Sequence, residues 1–161
     1  MNRSPSFALF LGCLLFGWVF AVLPLPEPLS PARPYLLGML LCYWILETPQ
    51  RIGLGSAFVI GLFADVVSGT LLGEQGLRLV ILTFLVQRFR ARLRFFPLWQ
   101  QALAVLALMS NDRVIALLIH LLSGDGGLPW LSILSPVLAM ALWPWLFLLL
   151  DSLRLRARDR H

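Results

Sequence analysis

The chain has 161 residues, of which 59% are hydrophobic and 13% charged, and its net charge of +5 comes from arginine without any lysine. A soluble domain typically carries about 25% charged residues, so the composition excludes that class and indicates an integral membrane protein. The sequence pI of about 10.6 would suggest a nucleic-acid partner in a soluble protein. Here the arginines lie at the ends of apolar segments, where orientation in a membrane explains them without nucleic acid.

Apolar segments in chain order predict an all-α fold, a polytopic bundle of six transmembrane helices in a single domain over residues 1–161. The first segment, Phe7–Leu23, follows a basic residue, so a cleaved signal peptide is the competing interpretation. Its apolar run of about seventeen residues is long for a signal peptide, and no A-x-A pattern follows, which favours an uncleaved span. The predicted spans are about 7–23, 31–47, 53–72, 77–87, 98–122 and 130–150.

Proline, glycine and polar residues indicate where these spans begin, end or bend. Ser30 followed by Pro31 has the form of an N-cap and a first helical residue, so the second span is predicted to start there. Residues 73–76, Gly-Glu-Gln-Gly, are predicted to form a turn before a short fourth span. The polar residues 111–113 are predicted to interrupt the fifth span, and Pro144 is predicted to kink the sixth.

The distribution of arginine predicts the orientation. If both termini are cytoplasmic, the outer loops hold only Arg33, and Arg78 lies just below the outer surface. The remaining arginines outside the spans are then cytoplasmic: Arg3, Arg51, the four of residues 88–94 and the four of residues 154–160. Positive residues concentrate on the cytoplasmic side of membrane proteins, so the sequence predicts a multi-pass protein with the N-terminus and C-terminus inside.

The third span combines small residues with a carboxylate, Asp65, near its middle. A charge at that depth costs at least a few kcal/mol unless it faces protein or water, so this helix is predicted to be the buried centre of the bundle. Small residues let helix backbones approach closely in a membrane. The predicted helix-packing positions are Gly61, Ser68, Gly69 and Gly73.

A buried charge cluster of Asp65, Arg78, Asp112 and Arg113 is predicted, since these residues fall within about one helical turn of depth. Pairing offsets the cost of burying a charge. Arg78 is favoured over Arg113 as the partner of Asp65, because a short turn joins their helices, and Asp112 would pair with another polar group. Two alternatives remain: Glu74 pairs with Arg78 along the helix while a protonated Asp65 bonds a backbone carbonyl, or the carboxylate belongs to a proton relay.

The fourth span continues into an arginine-rich segment at its cytoplasmic end. Its arginines alternate with apolar residues, so the charged ends can reach the surface while the stems stay in the interface. The segment can serve orientation and contact with anionic lipids, or dock an acidic cytoplasmic partner; a nucleic-acid site is the least favoured interpretation. The residues of this cytoplasmic basic patch are Arg88, Arg90, Arg92 and Arg94.

Two features are candidates for a partner interface. Ala8 and Gly12 are four residues apart in the first span, a spacing typical of a helix-packing face. Trp143, Pro144 and Trp145 lie about 10 Å inside the expected cytoplasmic end of the sixth span. Their proline removes one helical hydrogen bond, so this triplet predicts either a packed kink or a groove for a partner's transmembrane helix.

Neither a catalytic nor a metal site is predicted. Ser56 and His120 could be read as a hydrolase pair, but they are expected roughly 20 Å or more apart in depth, and the other histidine, His161, is terminal. No H-E-x-x-H motif, phosphate-binding glycine loop or cysteine–histidine spacing occurs. The sequence therefore predicts no enzyme activity and no cofactor.

The third-span pattern G-x-x-x-D-x-x-S-G-x-x-x-G, at residues 61–73, resembles that of the MreD family of rod shape-determining membrane proteins. Further motifs agree in the same order: Y-W-I-L at 43–46 before P-Q-R at 49–51, L-W-Q-Q at 98–101 and L-W-P-W at 142–145. The resemblance covers about residues 33–150, and the basic residue Arg113 is a departure from it.

The resemblance implies a small inner-membrane protein of the bacterial machinery for cell elongation. It implies binding to MreC, a single-span protein with a large periplasmic part. Through MreC it implies support of the MreB filament and of the glycosyltransferase RodA with its class B penicillin-binding transpeptidase. The family is also similar in fold to the six-helix substrate-binding components of energy-coupling factor transporters.

Two function classes compete on these grounds. One is a non-enzymatic membrane scaffold of the cell-elongation complex that supports peptidoglycan synthesis. The other is a small-solute binding component of a membrane transporter, which would need convergent polar groups in a pocket near the outer face. The predicted outer loops are short and poor in hydrogen-bonding side chains, so we expect the scaffold.

Overall fold

The computed structural model describes residues 5–159, with side chains from residue 7 onward, and all regular secondary structure in that range is helical. The predicted all-α fold is confirmed. Arg3, Arg160 and His161 lie outside the described residues. The α-helices are α1 Pro5–Val22, α2 Leu36–Glu47, α3 Leu54–Ser68, α4 Glu74–Leu93, α5 Leu98–Ser123 and α6 Leu134–Asp159, and the 3₁₀ turns are η1 Ser30–Ala32 and η2 Trp130–Ile133.

The start of α2 differs from the sequence prediction. Ser30 and Pro31 form only the single turn η1, and the α-helix begins at Leu36. The reason is Pro34, which disfavours helical geometry in the residue before it, and Arg33 is accordingly extended at φ −53° and ψ 126°. The second apolar helix is therefore only 12 residues long.

The boundary between α3 and α4 also differs from the prediction. α3 ends at Ser68 because Gly69 adopts the left-handed conformation, with φ +66°. α4 begins at Glu74, directly after Gly73, so the predicted turn at residues 73–76 is wrong beyond its first residue. α4 has 20 residues and continues through the arginine-rich segment to Leu93.

α5 and α6 extend further than predicted, and neither is interrupted. α5 continues without a break through residues 111–113, and α6 continues through Pro144 and past Leu150 to Asp159. Among the described residues, two helical segments are long and apolar enough to cross a membrane by length and composition, Leu98–Ser123 and Trp130–Asp159. The shorter apolar helices are Phe7–Val22 and Leu54–Ser68.

The bundle has an apolar exterior and a partly polar interior. Val66, Leu122 and Trp130 are 70% or more exposed, whereas Asp65 and Asp112 are at most 2% exposed. Soluble monomers rarely expose large contiguous apolar patches. This inverted distribution fits a molecule whose surroundings are lipid rather than water.

The central helix of the bundle is α2, so the prediction that the third span lies at the centre is wrong. All ten residues of Leu37–Leu46 are buried. α3 buries one stripe that includes Asp65 and leaves Phe63 and Val66 exposed on its other side. A single buried stripe is enough to shield a carboxylate, so one intramembrane charge does not identify the central helix.

α3 and α4 come into backbone contact at Gly61 and Gly76. A Cβ atom on Gly61 would lie 2.4 Å from the Cα of Gly76, so only glycine fits there. The packing role predicted for Gly69 and Gly73 is wrong: both lie outside the helices, and nothing lies within 4 Å of their Cβ positions. Their positive φ angles, +66° and +95°, shape the turn between α3 and α4 instead.

Successive connections lie at alternate ends of the bundle. At the end that we call the cavity end, Ser30, Thr70 and Pro129, from the three odd-numbered connections, line one cavity. At the opposite end, the Gln87 side chain on α4 donates a 2.7 Å hydrogen bond to the carbonyl of Ile52, between α2 and α3. The helices therefore run up and down between the two ends.

Candidate functional site

The interior holds an ion pair between α4 and α5. Arg78 donates from Nε to Oδ1 of Asp112 at 2.9 Å and from Nη2 to Oδ2 at 2.5 Å. Its Nη1 lies 3.6 Å from Oε1 of Glu74, one helical turn earlier. The guanidinium Cζ lies 4.6 Å from the centroid of the Tyr35 ring. Two carboxylates and an aromatic face thus compensate one buried arginine.

Asp65 does not pair with Arg78, so that part of the prediction is wrong. Its carboxylate accepts hydrogen bonds from the Gly73 amide at 2.8 Å, the Gln75 amide at 3.0 Å and the Thr70 hydroxyl at 2.9 Å. These contacts cap the N-terminus of α4, whose first amides have no acceptor within the helix. All three partners donate to Asp65, so the alternative in which it donates to a backbone carbonyl is wrong as well.

Ser68, one of the predicted packing positions, takes part in the same turn. Its hydroxyl oxygen accepts a 3.4 Å hydrogen bond from Nε2 of Gln75, and Oε1 of that amide accepts one from the Tyr35 hydroxyl, also at 3.4 Å. Gln75 therefore links α3 to the start of α2. This contact, like the capping carboxylate, ties the α3–α4 turn to the interior.

Glu74 extends the charge network from α4 to the end of α5. Its Oε1 lies 3.5 Å from Nε2 of His120, and Nδ1 of the same ring lies 3.6 Å from Oδ2 of Asp125. Glu74 does approach Arg78, as one alternative had it, but Asp112 makes the two shorter contacts. His120 thus joins two helices and the following connection.

Arg113 contacts different neighbours from Asp112, because consecutive helical residues point about 100° apart. Its Nη2 donates to the Ser135 hydroxyl at 2.7 Å and to the backbone carbonyl of Arg33 at 3.3 Å. Ser135 donates to that carbonyl at 2.7 Å. Arg113 therefore holds the start of α6 and the α1–α2 connection against α5.

The Arg33 side chain caps the C-terminus of α1. Its Nη1 donates to the carbonyl of Phe20 at 3.1 Å and to that of Ala21, and its Nη2 donates to that of Leu23. The last carbonyls of a helix lack intrahelical donors and carry partial negative charge, so a cation is favourable there. The hydrogen-bond acceptors of Arg33 are thus neutral carbonyl oxygens, and its Cζ lies 5.7 Å from the centroid of the Phe20 ring.

A cavity of about 390 Å³ lies among these residues at the cavity end. The cavity was not predicted from the sequence, because the outer loops alone are poor in polar side chains and the polar lining also comes from helix ends. The polar residues of the lining are Ser30, Arg33, Tyr35, Ser68, Thr70, Gln75, Arg78, Arg113 and Ser132.

The predicted cytoplasmic basic patch divides into two kinds of residue. Arg90 is half-buried, and its Nε donates to the carbonyls of Ile45 and Leu46 at 3.2 and 3.1 Å, which caps the C-terminus of α2. One of the four predicted patch residues is therefore occupied in holding helices together. The exposed members are Arg88, Arg92 and Arg94.

Two further polar contacts join helices at the end of the bundle opposite the cavity. Gln101 donates from Nε2 to the carbonyl of Leu93 at 3.0 Å, which caps the C-terminus of α4. Arg154 on α6 pairs with Glu47 at the end of α2. The first contact joins consecutive helices and the second joins helices that are distant in sequence, so this end is fixed by side chains as well as by packing.

The candidate partner-interface residues have different environments. Ala8 and Gly12 are exposed, and no heavy atom lies within 4 Å of a Cβ position on Gly12. Trp145 is 76% exposed and Pro144 half-buried. Trp143 is fully buried and donates to Oε1 of Gln101 at 3.4 Å, so the prediction that it faces a partner is wrong.

The serine and histidine considered for hydrolysis lie in separate hydrogen-bond networks. Ser56 accepts a 2.9 Å hydrogen bond from the Gly53 amide at the start of α3, whereas His120 contacts Glu74 at the cavity end. The described residues contain no group of three or more histidine, cysteine, aspartate or glutamate side chains that could hold a metal ion.

Tyr35 and Ser135 also belong to the network and were not predicted from the sequence. The available signal was weak: each is a polar residue beside a proline at the start of a helix, the common form of a helix boundary. The capping role of Asp65 gave no local signal, since the Gly73 and Gln75 amides lie eight and ten residues away.

An all-helical bundle with an apolar exterior and charges paired across its interior defines a helical membrane protein stabilised by buried polar contacts. A family model described as rod shape-determining protein MreD matches residues 1–153. The chain therefore belongs to the MreD family of rod shape-determining proteins. It is 28% identical over 148 residues to the rod shape-determining protein MreD of Haemophilus influenzae, with 92% of this chain and 91% of that protein covered. No solved structure matches the chain.

Proposed function

We propose that the protein is a non-enzymatic membrane scaffold of the bacterial cell-elongation complex, which binds MreC and supports peptidoglycan synthesis along the cell wall. Its membership of a rod shape-determining family over residues 1–153 is the observation that carries this proposal. The buried polar residues Asp65, Arg78, Asp112 and Gln101 agree with a scaffold role, because each caps a helix end or joins two helices.

The proposed setting is the inner membrane, with six spans in a single domain and both termini in the cytoplasm. The alternation of connections between the two ends supports an even number of passes. Arg88, Arg92 and Arg94 are exposed at the end opposite the cavity, where the positive-inside rule places the cytoplasm. These arginines are available for anionic lipids or an acidic partner.

We place the transmembrane helix of MreC against the face of α1 that carries Ala8 and Gly12. Small residues let two helix backbones approach closely, and this face is exposed while Gly17, on another side of α1, already packs on Leu37 and Leu40. Trp145 on α6 is the second candidate contact, since its ring is exposed. The MreB filament, RodA and the class B transpeptidase would be engaged indirectly through MreC.

The proposal is tested by clean deletion in a rod-shaped host that has no paralogue, followed by complementation. Loss of the chain should round the cells, and the unaltered chain should restore rods. Gly12→Leu should fail to restore them and should no longer co-purify with MreC, because the larger side chain blocks close approach. Gly55→Leu is the matched control: it is also an exposed helical glycine with nothing within 4 Å of its Cβ position.

The two parts of the proposal fail in different ways. Persistence of normal rods after deletion contradicts the scaffold function itself. Normal capture of MreC by Gly12→Leu contradicts only the assignment of the interface, and the same measurement on Trp145→Ala then tests α6.

A second candidate function is the small-solute binding component of a transporter, in keeping with the proposed fold similarity to energy-coupling factor systems. The cavity of about 390 Å³ favours it, since ligand pockets commonly span about 300–1,000 Å³. A stoichiometric vitamin-sized molecule in the natively purified protein would support the transporter, and its absence alongside co-purified MreC would support the scaffold.

A further inference from the structure

The cavity is lined by positively charged side chains and by no negatively charged one. Three guanidinium groups line it, those of Arg33, Arg78 and Arg113, and none of its lining residues is a carboxylate. The carboxylates nearby lie behind the wall, where each already has partners. Asp112 and Glu74 compensate Arg78, and Asp65 caps α4.

Neither Arg33 nor Arg113 pairs with a carboxylate of residues 5–159, although the Cζ of Arg33 lies 5.7 Å from the centroid of the Phe20 ring. Within residues 5–159 the hydrogen bonds of both guanidinium groups go to neutral oxygens, backbone carbonyls and the Ser135 hydroxyl. The Arg113 bonds use only Nη2, and Nε of Arg33 is buried without a hydrogen-bond partner. Two cations held at the end of an apolar bundle favour a bound counter-anion.

The residues that line the cavity indicate what kind of anion fits. A planar guanidinium matches the oxygen atoms of phosphate in a forked geometry. The side chains of Ser30 and Ser132 line the cavity, and their hydroxyl groups can donate further hydrogen bonds, whereas the Thr70 hydroxyl already donates to Asp65. Phe20 and Leu37 supply apolar surface beside them, as an amphiphilic ligand requires.

We propose that this cavity binds a phosphate-ester anion, with Nε and Nη1 of Arg113 as the direct donors and Arg33 as the second positive charge. The site is independent of the proposed MreC interface, because Ala8 and Gly12 do not line the cavity. The bound phosphate group could belong to a phospholipid headgroup or to a free phosphate, so the test uses both.

The experiment uses the full chain, purified in lipid-free detergent. Phosphatidylglycerol is titrated in mixed micelles, with zwitterionic phosphatidylcholine as the comparison, and binding is read by native mass spectrometry. Inorganic phosphate is titrated separately and read by the unfolding temperature. Tighter binding of phosphatidylglycerol than of phosphatidylcholine identifies a lipid headgroup, whereas saturable stabilisation by phosphate alone identifies a free anion. Either result supports the site if the variants below remove it.

Two variants make the site falsifiable. Arg113→Gln should weaken binding by about tenfold or more, the range for a lost charge-assisted hydrogen bond. Ser30→Glu places a carboxylate in the cavity wall at an exposed position and should also abolish binding, even if Arg113→Gln does not fold. Ser123→Glu adds the same charge at an exposed residue outside the lining and should leave binding unchanged. The proposal is overturned if neither phosphatidylglycerol nor inorganic phosphate binds. It is also overturned if Ser30→Glu and Ser123→Glu bind the probe equally well.

Discussion

Arg78 and Asp112 are 34 residues apart in sequence, yet two parallel hydrogen bonds, of 2.9 and 2.5 Å, join them across α4 and α5. Both residues are buried, at 8% and 2% exposure. A forked contact of this kind fixes the rotation of each helix about its own axis as well as the distance between them. The pair therefore fixes how α4 and α5 face each other.

Removing either member should leave the other as an uncompensated buried charge. We expect Arg78→Ala and Asp112→Ala each to lower the free energy of unfolding by about 3–5 kcal/mol. Unfolding in mixed detergent and denaturant, followed by circular dichroism, measures the change. Arg92→Ala, at an exposed arginine on the same helix, should change it by about 0.5 kcal/mol or less.

The double variant Arg78→Ala/Asp112→Ala separates pairing from general damage. Its cost should be clearly smaller than the sum of the two single costs, since neither charge is then left alone. Strict additivity would contradict the ion pair.

Asp65→Ala should loosen the start of α4 rather than break an ion pair. The Gly73 and Gln75 amides would lose their acceptor, at a cost of about 2 kcal/mol or more for a cap with buried donors. Hydrogen exchange at those two amides should accelerate, while amides in α5 keep their protection. Equal acceleration in α5 would argue against a capping role, and Asp159→Ala, at an exposed carboxylate at the end of α6, serves as the control.

Gly61→Ala should separate α3 from α4. The new methyl group would meet the Gly76 backbone at 2.4 Å, so we expect a destabilisation of about 1–3 kcal/mol. Gly55→Ala lies in the same helix with nothing within 4 Å, so it should be neutral or gain up to about 1 kcal/mol. Thermal unfolding of the two variants side by side measures the difference. Equal stability would show that α3 and α4 do not touch there.

The two tryptophans of the sixth helix should behave differently. Trp143→Ala removes a fully buried ring and its bond to Gln101, and should cost about 3–5 kcal/mol of folding stability. Trp145→Ala removes an exposed ring and should leave the stability of the purified chain nearly unchanged. Unfolding midpoints measured in one detergent compare the two, and a larger loss for Trp145→Ala would reverse the assignment of the buried face.

Labelling of single cysteines should report the proposed topology in intact cells. A membrane-impermeant maleimide should label Asp125→Cys from outside and label Arg92→Cys only after permeabilisation, since both positions are exposed at opposite ends of the bundle. The native Cys13 and Cys42 are buried, which keeps the background low. Labelling of Arg92→Cys in intact cells would contradict the cytoplasmic placement of that end.

Local sequence properties were sufficient for the coarse description of this protein. Hydropathy and composition predicted an all-helical membrane protein, and the number of α-helices, six within residues 5–159, was predicted correctly. Helix boundaries were less predictable. Pro34 delayed α2 through a local backbone preference, but α4 begins at Glu74 because of a carboxylate nine residues earlier, on another helix.

Partner choice was decided only by the tertiary structure. Depth along a helix follows from counting residues, so Asp65, Arg78, Asp112 and Arg113 could be assigned to one level. Which of them meet depends on the direction in which each side chain points around its helix, and packing against α2 sets that rotation. For the same reason the sequence could not show that α2 is the centre, that Gly61 meets Gly76, or that polar residues from three connections enclose one cavity. These features require side chains from distant segments to converge, and only the assembled bundle brings them together.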